Sequence, residues 1–375
     1  MQVSLKYCDE YELQKVKTVI KQSIDSLGGL TITPNETILI KPNLLTRKKP
    51  EDAATTHPVV VHAVAEILIE QGAKVVIGDS PGGPFSPMYV NSVYKATGMT
   101  EVAEKTGAML NENFEGFDCQ NPKGKLLKKI RMVSMVEKID KIICIAKLKT
   151  HGMMTYTGAV KNMFGLIPGV AKAEFHLNMP DYEDFSDALI DICLAKEPIL
   201  SIIDGIVGME GNGPGSGTPV NSNVIFMSKS PYHLDMAACN FIGLSIQDVP
   251  MLRKIEERGL ARLEEIKYIG DANFNNKPYK LPESKGSTNK TSVFLPSFIK
   301  KFLARFVQTR PLFNLNTCNG CQVCKENCPA KIIKMVNNKP NLDYKDCIRC
   351  YCCQELCPRM AITIKRPRLS KILRL

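Results

Sequence analysis

Long apolar runs are missing from this sequence: no stretch approaches the roughly 20 apolar residues that span a bilayer. The opening residues Met1 to Tyr7 also lack the apolar core of an export signal. Together these absences predict a cytoplasmic protein. Cysteine is scarce over residues 1–295, with only Cys8, Cys119, Cys144, Cys193 and Cys239, whereas nine more fall between Cys318 and Cys357. Without an export signal, so tight a group points to metal ligation or redox chemistry rather than a disulfide scaffold. Acid is scarce at the other end. Residues 296–375 hold 16 Lys and Arg against 4 Asp and Glu, a net +12 in a chain of +11, which leaves the first 295 near neutral. A basic segment suits a nucleic acid or an anionic cofactor. The absence of a helix-turn-helix pattern or an aromatic RNA-binding motif argues against nucleic acid.

What is present over residues 1–292 is alternation. Residues 10–27 carry helical spacing through Leu13, Val16, Val19, Ile20 and Ile24, stopped by Gly28-Gly29. The run from Thr37 to Ile40 reads as a buried strand, and a helix follows His57-Pro58 to about Gln71. Strand-like runs recur at Lys74 to Asp79, Asp140 to Ala146 and Ile199 to Gly205. The pattern predicts an α/β layer fold with a mostly parallel sheet, in which ligands bind beyond the carboxyl ends of the strands. Residues 271–292 read as a loop or linker. Residues 293–312 mix apolar and basic side chains, as in a docking helix or one lying on a membrane surface. Residues 313–366 read as a small α+β domain, and 367–375 as a basic tail.

The cysteine run Cys318-x2-Cys321-x2-Cys324-x3-Cys328-Pro329 recurs 29 residues later as Cys347-x2-Cys350-x2-Cys353-x3-Cys357-Pro358. Structural zinc also uses C-x2-C pairs, but two complete copies of this longer spacing argue against it. The region resembles bacterial ferredoxins that hold two 4Fe-4S clusters. In those, the fourth cysteine of each run serves the other cluster. The resemblance implies one cluster on Cys318, Cys321, Cys324 and Cys357, and a second on Cys347, Cys350, Cys353 and Cys328. Cys352 is then a spare thiol.

Within thirty residues after one strand lie Lys147, Lys149, His151, Lys161, Asn162 and His176. Alternate lysines on a strand share a face, and such a cluster suits a carboxylate or phosphate. Asp79 and Asp204, each closing a strand, are candidate acids or ligands. His57 and His233 read as structural. The segment from Gly208 to Pro219 is rich enough in glycine to cradle an anion, although it matches neither a Walker A sequence nor G-x-G-x-x-G.

Lys41-Pro42-Asn43, Thr56-His57-Pro58, Gly78-Asp79-Ser80-Pro81-Gly82, Lys147 to His151 and Gly158 to Gly165 occur in an order that resembles the domain-of-unknown-function family 362. That family is often joined to ferredoxin modules, and the resemblance leaves the activity unnamed. The spacing His151-x9-Lys161-x14-His176 is also similar to a site segment of nickel-pincer lactate racemases. Carried over, it implies Lys161 as a cofactor attachment point and His151 and His176 as proton-transfer or metal-binding residues. A ferredoxin module is foreign to a redox-neutral racemase.

These observations lead to an iron–sulfur redox protein, a ferredoxin-linked oxidoreductase. Lys161, His151 and His176 would be catalytic, and Lys147, Lys149, Asn162 and Asp79 would bind a small anionic substrate or an additional cofactor. The competing expectation is a non-catalytic electron carrier or assembly protein whose large domain docks a redox partner protein.

Overall fold

The computed structural model describes residues 1–169, 171–271, 277–283 and 309–365. Of the segment 293–312 read as an amphipathic helix, residues 293–308 lie outside these residues, as does the basic tail, while Arg310 to Leu312 form part of a strand rather than a helix. Elements alternate as β1 (Gln2–Tyr7), α1 (Leu13–Ser26), β2 (Thr37–Pro42), α2 (Pro58–Glu70), β3 (Lys74–Ile77), α3 (Pro87–Ala96), α4 (Met99–Thr106) and β4 (Met109–Leu110). An outlying hairpin, β5 (Gly116–Gln120) and β6 (Lys129–Val133), precedes β7 (Lys141–His151) and β8 (Thr155–Thr157). Helices α5 (Ala159–Asn162), α6 (Ala171–Asn178) and α7 (Tyr182–Ala195) lead to β9 (Leu200–Glu210), β10 (Thr218–Ser228), α8 (Pro231–Phe241), α9 (Pro250–Glu257) and β11 (Lys267–Gly270).

The main sheet runs β11-β1-β10-β9-β7-β2-β3-β4, with β8 on the end of β7. Strands β4, β3, β2, β7 and β9 are parallel, whereas β10 returns antiparallel to β9 and to β1. The sheet is therefore mostly parallel, as its Ile- and Val-rich strands imply. Period-two alternation divides the core. Ile143 and Ile145 pack on the side of α1 and α2, whereas Ile142, Cys144, Ala146 and Leu148 face α5, α7, α8 and α9. Helices thus cover both faces, and the carboxyl ends of β2, β3 and β7 open at one edge.

The C-terminal module is built in two similar halves. β12 (Arg310–Phe313) pairs antiparallel with β15 (Ile362–Lys365), and β13 (Ile333–Val336) with β14 (Lys339–Leu342). Each cysteine run carries one helical turn, Val323–Glu326 and Cys352–Glu355. Tyr351 and Ile364 of the module join the core cluster of the large domain, and Gln354 donates from Nε2 to the Asn212 carbonyl at 3.0 Å. The glycine-rich segment is the β9–β10 hairpin. At Gly213 and Gly215 a side chain would meet the Thr150 carbonyl (2.2 Å) and the Glu355 carbonyl (3.1 Å). Its glycines therefore permit close approach of backbone to backbone. Among the described residues no helix is long and apolar enough to cross a membrane.

Candidate functional site

β7 continues past the predicted strand through Lys147, Lys149 and His151, and all three are buried. The alternation of the lysines persists, but their partners separate them. Lys147 pairs with Asp204 at 2.8 Å and donates to Tyr11 Oη at 2.9 Å. Asp204 also accepts from Tyr11 Oη (2.8 Å) and the His57 backbone N–H (3.0 Å). The His57 ring stacks on Tyr11 at 3.5 Å and caps α2, accepting from the Val59 N–H. This group is satisfied internally and lies outside the cavity described next.

Lys149 points elsewhere, donating to Asn43 Oδ1 and the Ala54 carbonyl, each at 2.6 Å. It lines a cavity of about 110 Å³ together with Asp79, Ser80, Lys161, Asn162, Lys172 and His176. Asn327, Cys352, Glu355 and Leu356 of the cysteine-rich module line the same cavity. The predicted residues Lys149, Lys161, Asn162, His176 and Asp79 are thus brought together, and Lys147 is not among them.

Several of these groups are already occupied. Asp79 pairs with the fully buried Lys41 at 2.7 Å and accepts from the Leu44 N–H at 3.0 Å. Asn162 Oδ1 accepts from Lys41 (3.1 Å) and Asn43 (3.3 Å), while its amide donates to the Lys41 carbonyl and to Cys144 Sγ. These groups fix the floor. Lys161 rides on α5, whose first N–H groups, Ala159 and Val160, donate to Asp235 at 2.6 and 3.0 Å. At the flanking glycines a Cβ would lie 2.1 Å from Asp235 Oδ1 (Gly158) and 2.0 Å from Asp79 Oδ1 (Gly165), so both must lack a side chain. Lys161 itself makes no hydrogen bond or ion pair among the described residues.

Burial dominates the ionisation of these groups. It lowers Lys149 and Lys161 from the ordinary lysine range, the former also repelled by Lys161, and takes Lys172 down to about 7. His151 and His176 fall to about 4 by burial, so both rings are neutral at pH 7. His151 Nδ1 accepts from the Met153 and Met154 N–H groups (3.1 and 3.2 Å), which leaves its proton on Nε2. That atom lies 3.1 Å from Glu355 Oε1, close enough for charge–dipole attraction but off the angle of a hydrogen bond. Burial pushes Glu355 up, and the close approach of His151, with Lys161 further off, outweighs it and holds it below the usual carboxylate range.

In the C-terminal module Cys318, Cys321, Cys324 and Cys357 line one small cavity with Phe313, Met335 and Ile362. Burial raises the Cys353 thiol, and Cys350, Cys347 and Cys328 raise it further by proximity. The first thiol set implied by the repeated spacing thus lines one cavity, while Cys353 has Cys324 of that set among its neighbours as well as Cys350, Cys347 and Cys328. Among the described residues no three His, Cys, Asp or Glu side chains converge closely enough to hold a single metal ion. Thiols spread around a void fit a multi-atom cluster better than one zinc. Among the described residues no third His, Cys, Asp or Glu joins His151 and His176 to form a metal-holding group.

Residues 38–240 match the domain of unknown function (DUF362), and residues 310–358 match a 4Fe-4S dicluster domain. The chain belongs to the DUF362 family. The thylakoid-associated protein sll1697 of Synechocystis sp. is 31% identical over 265 residues, covering 69% of this chain and 79% of that protein. The apoprotein of lactate racemase from Thermoanaerobacterium thermosaccharolyticum superposes with a TM-score of 0.38 at 13% identity. It covers 64% of this chain and 56% of the racemase, and a likeness so distant bears on neither cofactor nor reaction. In this DUF362 chain Lys41 and Asn43 stood in a family motif, yet their place in the site followed only from the folded sheet. Lys172, Asp235 and Glu355 gave no such signal, Glu355 because it sits inside a cysteine motif that reads as cluster ligation alone.

Proposed function

We propose that this protein holds two 4Fe-4S clusters and passes single electrons between them and a small anionic ligand bound at the strand ends. The first cluster is assigned to Cys318, Cys321, Cys324 and Cys357, the second to Cys347, Cys350, Cys353 and Cys328. Thiolate-held clusters supply one-electron chemistry whose potential follows nearby charge and hydrogen bonding. One observation carries the reading: the helix Cys352–Glu355, which includes a proposed cluster ligand, also lines the cavity of Lys149, Lys161 and His176. A carrier that merely docked a partner would not require a cationic cavity beneath its cysteines.

The chain's own residues divide the work. Lys149 and Lys161 attract the anion, and Phe164 and Leu356 contribute apolar wall that excludes water. Lys172, near neutrality in its ionisation, holds or releases a proton at Nζ. An external redox protein completes the circuit at the basic module. The test uses the full chain purified without oxygen and reduced. Small anions are added while the cluster spectrum and potential are followed. A ligand-dependent reoxidation or potential shift, lost in Lys161→Met with iron content unchanged, is the expected result. Clusters indifferent to every anion that binds would leave the carrier reading in its place.

A further inference from the structure

Five lysines surround the strand ends, and four are spoken for. Lys41 is paired with Asp79, Lys147 with Asp204, Lys149 donates to Asn43 and Ala54, and Lys172 donates to the Ser80 and Pro81 carbonyls. Lys161 is the exception among the described residues, half-buried and facing the cavity. Two further groups in the wall are orphaned. Ser80 Oγ and His176 Nδ1 are buried without a hydrogen-bond partner, with their residues 1% and 7% exposed. An unpaired buried hydroxyl or imidazole nitrogen is costly unless a ligand or water completes it.

The acids of the wall do not compete for a cation. Asp79 is neutralised by Lys41, and Glu355 lies against His151 and within the field of Lys161. What remains is the Lys161 ammonium, with Ser80 and His176 also lining the cavity and Lys149 and Lys172 beside them. Such a wall is rich in donors and suits a ligand rich in acceptors. Size restricts the class further. A cavity of about 150 Å³ holds one benzene, six non-hydrogen atoms, and this one is about 110 Å³.

We infer that the ligand is a small oxyanion of up to about six non-hydrogen atoms, an inorganic oxyanion or a short carboxylate, bound by Lys161 with Ser80 and His176. A nucleotide, flavin or other ring cofactor would extend out of it into solvent. The inference rests on the anion-binding part of the proposed function and names the class of its ligand.

The experiment is calorimetric titration of the full chain with its clusters, using phosphate, sulfite, nitrite, acetate and pyruvate, and AMP and FMN as large anions. At least one small oxyanion should bind at one site per chain and be displaced by the others. The strongest among them separates an inorganic from a carboxylate source. Lys161→Met should weaken binding at least tenfold and Ser80→Ala several-fold, with iron content and thermal transition unchanged. Lys161→Arg should retain most of the affinity. The inference is overturned if no small oxyanion binds, if Lys161→Met binds as tightly as the parent, or if AMP or FMN binds more tightly and depends on the same residues. Oxyanion binding through Lys161 with an unmoved cluster potential would sink the electron-transfer reading and leave this one standing. A potential that responds only to the large anions would do the reverse.

Discussion

His151 Nε2 and Glu355 Oε1 lie 3.1 Å apart, joining the end of a central strand to the helix between two cysteines of the C-terminal module. The contact brings the module's negative charge to the rim of the cationic cavity. Glu355→Gln keeps the shape and removes that charge. Anion binding should tighten by about tenfold, the scale of one charge acting over roughly 10 Å at an effective dielectric near 20. Titration of parent and variant with phosphate checks this.

Asp235 caps the turn that presents Lys161, and burial pushes its carboxyl up to about 7 against the pull of the Val160 and Ala159 N–H groups. A carboxyl whose folded value exceeds its unfolded value, about 3.9, favours the fold most at low pH. That contribution declines as pH rises through the folded value. Asp235→Asn removes the titration and weakens the cap. The variant should therefore lose more stability relative to the parent at pH 5 than at pH 8, measured as the difference in melting temperature at each pH.

Lys147 and Asp204 are fully buried and lie outside the ligand cavity. Breaking a buried pair leaves one charge uncompensated, at about 3–5 kcal/mol. Lys147→Met should be destabilised by that order in denaturant unfolding. Lys147→Met/Asp204→Asn should recover part of the loss, because no charge is left buried, the amide oxygen can still accept from the His57 N–H and the amide NH2 can donate to Tyr11 Oη. Ligand affinity in the double variant should stay near the parent's.

Cys352 and Cys353 are adjacent and both buried; Cys353 belongs to the proposed ligand set with Cys347, Cys350 and Cys328, whereas Cys352 lies against the Cys350 thiol without a place in it. Cys352→Ser should retain the parent's iron. Cys353→Ser should fall from about eight iron atoms per chain toward about four, as expected on loss of one of two cuboidal clusters. Iron analysis with electron paramagnetic resonance of the reduced proteins distinguishes them.

Much of this was legible in the chain. Period-two and period-3.6 patterns located α1, α2, β2, β3, β7 and β9, because burial of an apolar face is a local property of sequence. The repeated cysteine spacing grouped the thiols, because a tight loop can present three of them only at fixed intervals. Lys149, Lys161, Asn162 and His176 were legible as a basic cluster from their proximity along the chain. Folding decided the rest. Lys147 and Lys149 share a strand and a residue type, yet one is consumed by Asp204 and the other faces the cavity, a division set by which strand neighbours each. Asp79 reads as a ligand until Lys41, thirty-eight residues away, neutralises it across the sheet. Glu355 reads as a spacer between cysteines until the module packs against the strand ends and sets it beside His151. Composition and spacing determine which chemistries the chain can hold. Only long-range packing determines which charges cancel, and therefore that Lys161 is left to meet a ligand.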